Sequence, residues 1–405
     1  MIYTSGTTGP PKGVMLTNSN VVWALESTAR GMRSQAGLDS LAGFRHVSYL
    51  PMAHIMERLL GHYNLVEFAT QVTCCPDTAQ VAAYAAEVHP QLFIGVPRVW
   101  EKLHAGVHAA LAADPAKAQP FADAVAAAEP IAEKIRAGTA TQEERETYDF
   151  LDAVAFTPVK QLIGLDEAEI CISGAAPLQA DVMRWFQTIG VPLSEGYGMS
   201  ETTAVLTWSH AAKPGHVGQP VPGVELKLGE DGEVLARGGN MFEGYLDAPD
   251  KTAETKDDDG WVHTGDIGEI DEDGYLRIVD RKKELLVTAG GKNISPANLE
   301  AALKAIPLVG QACAVGDQKP FVAALVVLDV DAATAWAAEH GLEGEAATME
   351  AMAQNPDVIA EIEAGLAEAM STFNNAESVK KVTVLGEEWM PDTDLLTPTS
   401  KLKRR

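Results

Sequence analysis

The string Thr4-Ser5-Gly6-Thr7-Thr8-Gly9-Pro10-Pro11-Lys12-Gly13 gathers hydroxyls, glycines and one lysine. Glycine lets backbone N–H groups approach an anion, hydroxyls add donors and lysine adds charge. That is phosphate-cradle chemistry, with a Gly/Pro linker as the plain alternative. It differs from the usual P-loop, which needs Gly, Lys and Ser or Thr in direct succession. Here Lys12 lies between Pro11 and Gly13.

Three further strings carry candidate chemistry. Gly196-Tyr197-Gly198-Met199-Ser200-Glu201-Thr202 starts like a dinucleotide fingerprint, but Glu201 stands where the third glycine belongs, which argues against a Rossmann reading. An aromatic between glycines can stack on a base. Ser200 suits a phosphate and Glu201 its Mg²⁺. Alone, the string reads equally well as a turn. In Trp261-Val262-His263-Thr264-Gly265-Asp266, followed by Asp280-Arg281-Lys282-Lys283, a carboxylate near a turn can accept both hydroxyls of a ribose. Hydrogen bonds to charged groups contribute about 1.5–3 kcal/mol each. Asp266 by itself reads as a turn cap. The last string runs from Leu396 to Arg405. A basic end is usually solvated, yet Thr397, Pro398 and Thr399 before Lys401 point to a defined turn.

Elements must position these strings. Only Ile2 to Thr4 can form a strand ahead of the first loop, so the expectation is that either this loop is frayed or an upstream part of the scaffold is absent. Residues 1–110 alternate short apolar runs with helical stretches, as α/β structure does. Residues 111–157 read as a helical insertion: Thr141 with Glu144 forms a capping box, and Tyr148, Leu151 and Ala155 follow at helical spacing. Short strands run from Ile170 to Tyr275, with hairpin turns at Asp231-Gly232 and Asp273-Gly274. The charged string Asp280 to Glu284 is the best boundary candidate. After it come a strand, a Gly-Gly-Lys-Asn turn and a helix capped by Ser295 and Pro296, with Leu299, Leu303 and Ile306 on its apolar face. A hairpin of 311–315 and 321–330 and a helical stretch over 332–372 complete the pattern. No repeats stand out.

Composition bounds the rest. At about 150 residues per domain, 405 residues imply two domains more readily than one or four. The 31 basic and 57 acidic residues leave a net charge of −26. This disfavours nucleic acid, which needs a basic face, and adhesion to anionic lipid by charge alone. Local donors can still hold an anionic ligand. The four cysteines fit neither a disulfide framework nor a zinc spacing, as expected of thiols in a reducing compartment. The longest apolar string, Phe321 to Leu328, suits a strand. A spanning helix needs about 20 such residues. With no signal-peptide pattern, a cytoplasmic location is expected.

Together and in this order, these strings resemble the adenylate-forming acyl-CoA synthetases over nearly the whole chain. The narrower likeness is to long-chain fatty-acid CoA ligases. Tyr49-Leu50-Pro51-Met52-Ala53-His54, Val96-Pro97-Arg98-Val99-Trp100-Glu101-Lys102, Ser173-Gly174-Ala175-Ala176-Pro177-Leu178 and the helical insertion carry it. The resemblance implies an α/β fold. A large domain of mixed sheets flanked by helices, with a small antiparallel barrel-like unit, would fill 1–282. A small α+β domain on a hinge would fill 283–405.

It also implies ATP-dependent activation of a long-chain fatty acid to an acyl-adenylate and transfer to CoA. Two alternatives are kept: loading of a carrier protein, and a catalytically inactive fragment. By resemblance Thr4, Ser5, Gly6, Thr7, Thr8, Gly9 and Lys12 hold the β- and γ-phosphates. Gly174, Ala175, Ala176, Pro177 and Tyr197 flank adenine. Gly198, Met199 and Ser200 bind the cofactor, with Ser200 near the α-phosphate, and Glu201 with Thr7 holds Mg²⁺. Asp266 and Arg281 bind ribose, and His54 lies near the acyl carboxylate. Lys283 is the hinge. Gly290, Gly291 and Lys292 form the thioester-step loop, and Lys401 serves adenylate formation. The implied ligands are ATP, Mg²⁺, CoA and a fatty acid, without nucleic acid; oligomeric state and weak peripheral membrane contact stay open. Ser200 stands where many relatives have Thr, and the chain stops four residues after Lys401.

Overall fold

The structure is a computed structural model and describes residues 1–4, 11–287, 293–371, 373–375, 377–390, 393–396 and 402–403. The chain divides into two compact units. One comprises Met1–Thr264 with Glu269–Ile278, the other Gly265–Gly268 with Val279–Arg405.

The first unit opens with an antiparallel pair, β1 (Ile2–Thr4) and β2 (Lys12–Met15), in which Thr4 faces Lys12. Its main sheet comprises β3 (Arg45–Ser48), β4 (Gln71–Cys74), β5 (Leu92–Gly95), β6 (Ile170–Ser173), β7 (Leu193–Tyr197) and β8 (Thr207–Trp208), in the order β4–β3–β5–β6–β7–β8. The first five are parallel, and β8 joins β7 antiparallel. Every residue of β5 and β6 is buried, which explains why both read as continuous apolar runs rather than alternating ones.

Successive side chains of these strands feed two cores. Phe93 and Cys171 enter one; Leu92, Ile94, Ile170 and Ile172 enter the other. Trp100 anchors the first, edge-on to Phe93 at 5.3 Å and Phe186 at 5.2 Å, with Nε1 donating to Gly95 O at 3.2 Å. The insertion forms helices Pro115–Arg136 and Gln142–Leu151. Both halves of the Thr141–Glu144 capping box are present, and Tyr148, Leu151 and Ala155 pack on the same core.

β9 (Glu225–Leu228) and β10 (Glu233–Arg237) form a hairpin closed by Gly232 at φ +82°. β11 (Gly244–Tyr245) pairs with β2, placing Tyr245 opposite Val14. β12 (Val262–Ile270) and β13 (Leu276–Arg281) complete a sheet ordered β13–β12–β10–β9, with Gly274 at φ +81° in their turn. The chain passes between the two units within β12 and β13.

In the second unit β14 (Leu286–Val287) and β15 (Asn293–Ile294) pair antiparallel. Ser295 Oγ then accepts from Asn298 N–H and caps helix Pro296–Leu303, which buries Leu299 and Leu303. β16 (Val309–Val315), β17 (Val322–Leu328) and β18 (Val379–Leu385) form a sheet, antiparallel then parallel. The strand expected to reach residue 330 stops at Leu328, because Asp329 caps the next helix by accepting from Ala332 N–H. The helical stretch expected over 332–372 is broken into Val330–Glu339, Gly344–Ala347, Met349–Met352 and Pro356–Ala369. Gly341 at φ +68°, the Thr348 cap and the Asn355 cap before Pro356 end and restart it. Among the described residues no helix is long and apolar enough to cross a membrane.

Candidate active site

Parallel strands direct their C-terminal ends, and the loops that leave them, to one edge of the sheet. Ligands of open α/β sheets bind in the crevice outside that edge. The Leu50–His54 string follows β3, Val96–Arg98 follows β5, Gly174–Pro177 follows β6, and Gly198–Glu201 follows β7. Four of the sequence strings therefore share one edge.

After β3, His54 N-caps the short helix Ile55–Glu57, and its N–H donates to Pro51 O at 2.8 Å. Buried Glu57 shapes this loop by accepting from Leu50 N–H at 3.1 Å, and it lies 3.8 Å from the buried His46 Nε2. After β6, Ala175 takes φ +74°, a left-handed conformation that a side chain disfavours, and Ala175 to Pro177 are exposed. Glu195 on β7 reaches across: its Oε1 accepts from Leu178 N–H at 3.0 Å. Burial pushes the Glu195 carboxyl up to about 7, against the lowering effect of that hydrogen bond.

The turn after β7 is tightly held. A Cβ on Gly198 would lie 2.0 Å from Ala204 O, so only glycine fits there. Thr203 and Ala204 follow at positive φ. Buried Asn240 clamps them: Nδ2 donates to Thr202 O at 2.9 Å and Val205 O at 2.7 Å, and its own carbonyl accepts from Thr203 Oγ1 at 2.7 Å. Within this turn Glu201 is buried, and Tyr245 Oη donates to its Oε1 at 2.6 Å. The Lys12 ammonium stands 4.6 Å from the centroid of the Tyr245 ring. The first and second strings, far apart in sequence, thus meet through one tyrosine.

Two members of the third string, Asp266 and Arg281, meet within the second unit. Arg281 Nε lies 3.1 Å from Oδ1 of the buried Asp266. Next to it Asp280 Oδ2 accepts from Ser295 Oγ at 2.6 Å and Ala297 N–H at 3.1 Å, tying β13 to the start of helix Pro296–Leu303. Lys283 is exposed. Ser5, Gly6, Thr7, Thr8 and Gly9, Gly290, Gly291 and Lys292, and Lys401 lie outside the described residues. Thr4 and Lys12 mark the two ends of the first of these segments.

Sequence reasoning missed Tyr245, Asn240 and Glu195. The available signals were slight: an aromatic after Gly244, an Asn after two glycines, and a carboxylate within β7 just before Gly196. Among the described residues no group of three or more His, Cys, Asp or Glu is arranged to hold a metal.

Comparison with known proteins bears on the family and the fold. The family profile described as AMP-binding enzyme matches residues 1–246, and that described as AMP-binding enzyme C-terminal domain matches 283–390. A putative fatty-acid–CoA ligase, fadD11, of Mycobacterium tuberculosis is 42% identical over 411 residues, covering 100% of this chain and 70% of that protein. The long-chain-fatty-acid–CoA ligase FadD15 of Mycobacterium bovis is 38% identical, covering 100% and 66%. The chain thus spans about two thirds of the length of these curated relatives. Among solved structures, O-succinylbenzoate coenzyme A synthetase of Bacillus subtilis with AMP superposes with TM-score 0.65 at 20% identity, covering 100% of this chain and 67% of that one. The adenylation domain of a carboxylate reductase from Mycobacterium chelonae gives TM-score 0.68 at 22% identity, covering 99% and 57%. At such identities the structural likeness concerns the fold. With profiles matching both parts of the chain and a relative 42% identical, the chain belongs to the AMP-binding enzyme family.

Proposed function

We propose that this chain activates a long-chain fatty acid with ATP and transfers the acyl group to CoA. A carboxylate oxygen attacks the α-phosphorus, the bond to the bridging oxygen breaks, and pyrophosphate leaves. The thiol sulfur then attacks the acyl carbonyl and expels AMP, and the thiol proton is lost to solvent. The observation that carries this reading is the meeting of Lys12, Tyr245 and Glu201 in one cluster. The names of the curated relatives support the fatty acid and CoA.

In this reading the residues take distinct tasks. The 4–12 segment binds the β- and γ-phosphates, with Lys12 supplying charge. The loop after β6 and Tyr197 flank adenine, Gly198 to Ser200 lie along the α-phosphate, and Asp266 with Arg281 binds ribose. His54 orients the acyl carboxylate. Glu201, with Thr7, would hold Mg²⁺. A hard oxygen donor on a buried acidic side chain fits that ion, which is commonly held by one or two carboxylates plus substrate phosphates. When bound, Mg²⁺ offsets the negative charge of the phosphates. Lys401 does the same for the adenylating step. It must then give way to the thiol, with Gly290, Gly291 and Lys292 lining the second step. A turn about Lys283, between a large domain of 1–282 and a small one of 283–405, accomplishes the exchange.

The reading includes a cytoplasmic setting, the kind of compartment in which thiols such as these four stay reduced. The deciding measurement is AMP and pyrophosphate release by the 405-residue chain with fatty acids of graded length, offering CoA and a carrier protein as separate acceptors. Release that needs both a long-chain acid and CoA is expected. No acid-dependent pyrophosphate overturns the reading, and transfer to the carrier alone replaces CoA as acceptor.

A further inference from the structure

Tyr245 touches two groups of opposite charge. Its hydroxyl donates to Glu201 Oε1 at 2.6 Å, and the face of its ring carries the Lys12 ammonium at 4.6 Å. The Lys12 contact follows from strand register. Tyr245 pairs with Val14, and Lys12 precedes Val14 by two residues on the same face of β2. The backbone repeats the link, because Glu201 O accepts from Phe242 N–H at 2.7 Å.

The ring itself is held in place. Phe242 packs edge-on at 4.9 Å, both rings are buried, and Tyr245 N–H donates to Thr252 Oγ1 at 2.8 Å. A side chain fixed on several sides can orient its neighbours without losing entropy at the moment of binding.

We propose that Tyr245 is a positioning residue of the nucleotide site, holding Glu201 ready for a divalent cation and Lys12 ready for phosphate while keeping the two from neutralising each other. A short hydrogen bond from the hydroxyl fixes the direction in which the Glu201 carboxylate points. A cation over the ring face is attracted by the ring quadrupole and makes the phenol a stronger donor. Without the ring, ammonium and carboxylate would be left to form a direct ion pair. Ligand binding would then have to break that pair. This inference rests on the reading in which Glu201 takes Mg²⁺ and Lys12 takes phosphate.

The test uses Tyr245→Phe, which keeps the ring and loses the hydroxyl, and Tyr245→Leu, which loses both. Calorimetric binding of ATP to the 405-residue chain is followed across Mg²⁺ concentrations, beside acid-dependent pyrophosphate release and thermal melting. Tyr245→Phe is expected to raise the Mg²⁺ half-saturation about 3- to 10-fold, as the loss of one hydrogen bond implies. Its affinity for ATP without Mg²⁺ and its KM for the acid should stay as in the wild type. Tyr245→Leu should in addition weaken Mg²⁺-free ATP binding. A wild-type Mg²⁺ half-saturation in Tyr245→Phe overturns the inference, as does an equal fall of every parameter in step with the melting temperature. Wild-type ATP binding that ignores Mg²⁺ overturns the role of Glu201 and the inference with it. Mg²⁺-dependent binding without acid-dependent pyrophosphate overturns the proposed reaction alone, and calorimetry then decides the role of Tyr245.

Discussion

Glu195 on β7 and Leu178, just beyond the loop after β6, are joined by a single bond, in which Glu195 Oε1 accepts from Leu178 N–H at 3.0 Å. The bond ties the strand that leads to Glu201 to the loop proposed to flank adenine. Glu195 is buried, and burial pushes its carboxyl from the ordinary 4.5 up to about 7. The sign of the pH effect follows. Below about pH 4.5 both folded and unfolded chains hold the proton, and the contribution to stability is complete. Between 4.5 and 7 the unfolded chain releases the proton first, so stability falls as pH rises through the folded value. The loss is on the order of 3 kcal/mol. Glu195→Gln keeps an acceptor for Leu178 N–H and cannot ionise. Urea unfolding should find it about as stable as the wild type at pH 5 and more stable at pH 8. Identical pH profiles for the two proteins would contradict this.

Gly198 gives a steric prediction. A Cβ there would meet Ala204 O at 2.0 Å and Ala204 C at 2.6 Å, both backbone atoms. The turn cannot step aside, because Asn240 clamps Thr202 O and Val205 O. Gly198→Ala should therefore cost about 3 kcal/mol or more, at or beyond the upper end of overpacking penalties. Gly106→Ala, on an open helix surface with nothing near its Cβ, is the control and should be neutral or slightly stabilising. Melting temperatures of the two variants decide it, and a small, equal shift in both would show that the turn yields.

How much of this could be read beforehand depends on sequence distance. Local signals carried through: the Thr141–Glu144 box, the Ser295 cap and the Gly232 and Gly274 turns depend on residues within a few positions of one another. The ordered strings likewise sufficed to identify the family. Tyr245, Asn240 and Glu195 escaped because their partners lie 44, 38 and 17 residues away. Local pattern made Asn240 a loop residue beside Gly238 and Gly239, and left Glu195 as one polar residue just ahead of the Gly196 string. The sheet order brings β11 beside β2, and the bond from Phe242 N–H to Glu201 O joins the chain just ahead of β11 to the turn after β7, links that no local pattern shows. The helical run over 332–372 was overextended for a different reason: its composition favours helix throughout, and caps interrupt it.

Asp266 can be separated from an ordinary turn residue by its ligand. It is buried and paired with Arg281, with Nε 3.1 Å from Oδ1. If it accepts ribose hydroxyls, Asp266→Asn removes charge-assisted bonds and should raise KM for ATP about 10- to 150-fold. The variant should also lose the preference for ATP over its 2′- and 3′-deoxy analogues that the wild type shows. Glu269→Gln, which disturbs only the exposed pair with Arg277, serves as the neighbouring control. A raised KM with the analogue preference intact would reduce Asp266 to a structural role.

Lys401 lies outside the described residues, so its role rests on the sequence string and is open to a clean division of the reaction. An ammonium needed only while charge develops on the α-phosphoryl group contributes to the first step and not to attack by a thiol on a finished acyl-adenylate. Lys401→Ala should lower acid-dependent pyrophosphate release by at least about 100-fold, the scale on which losing one transition-state donor is felt. Synthetic acyl-adenylate supplied with CoA should still be converted to thioester at close to the wild-type rate. Equal loss of both half-reactions would mean that the residue supports the small domain as a whole. A full first step would remove Lys401 from the site.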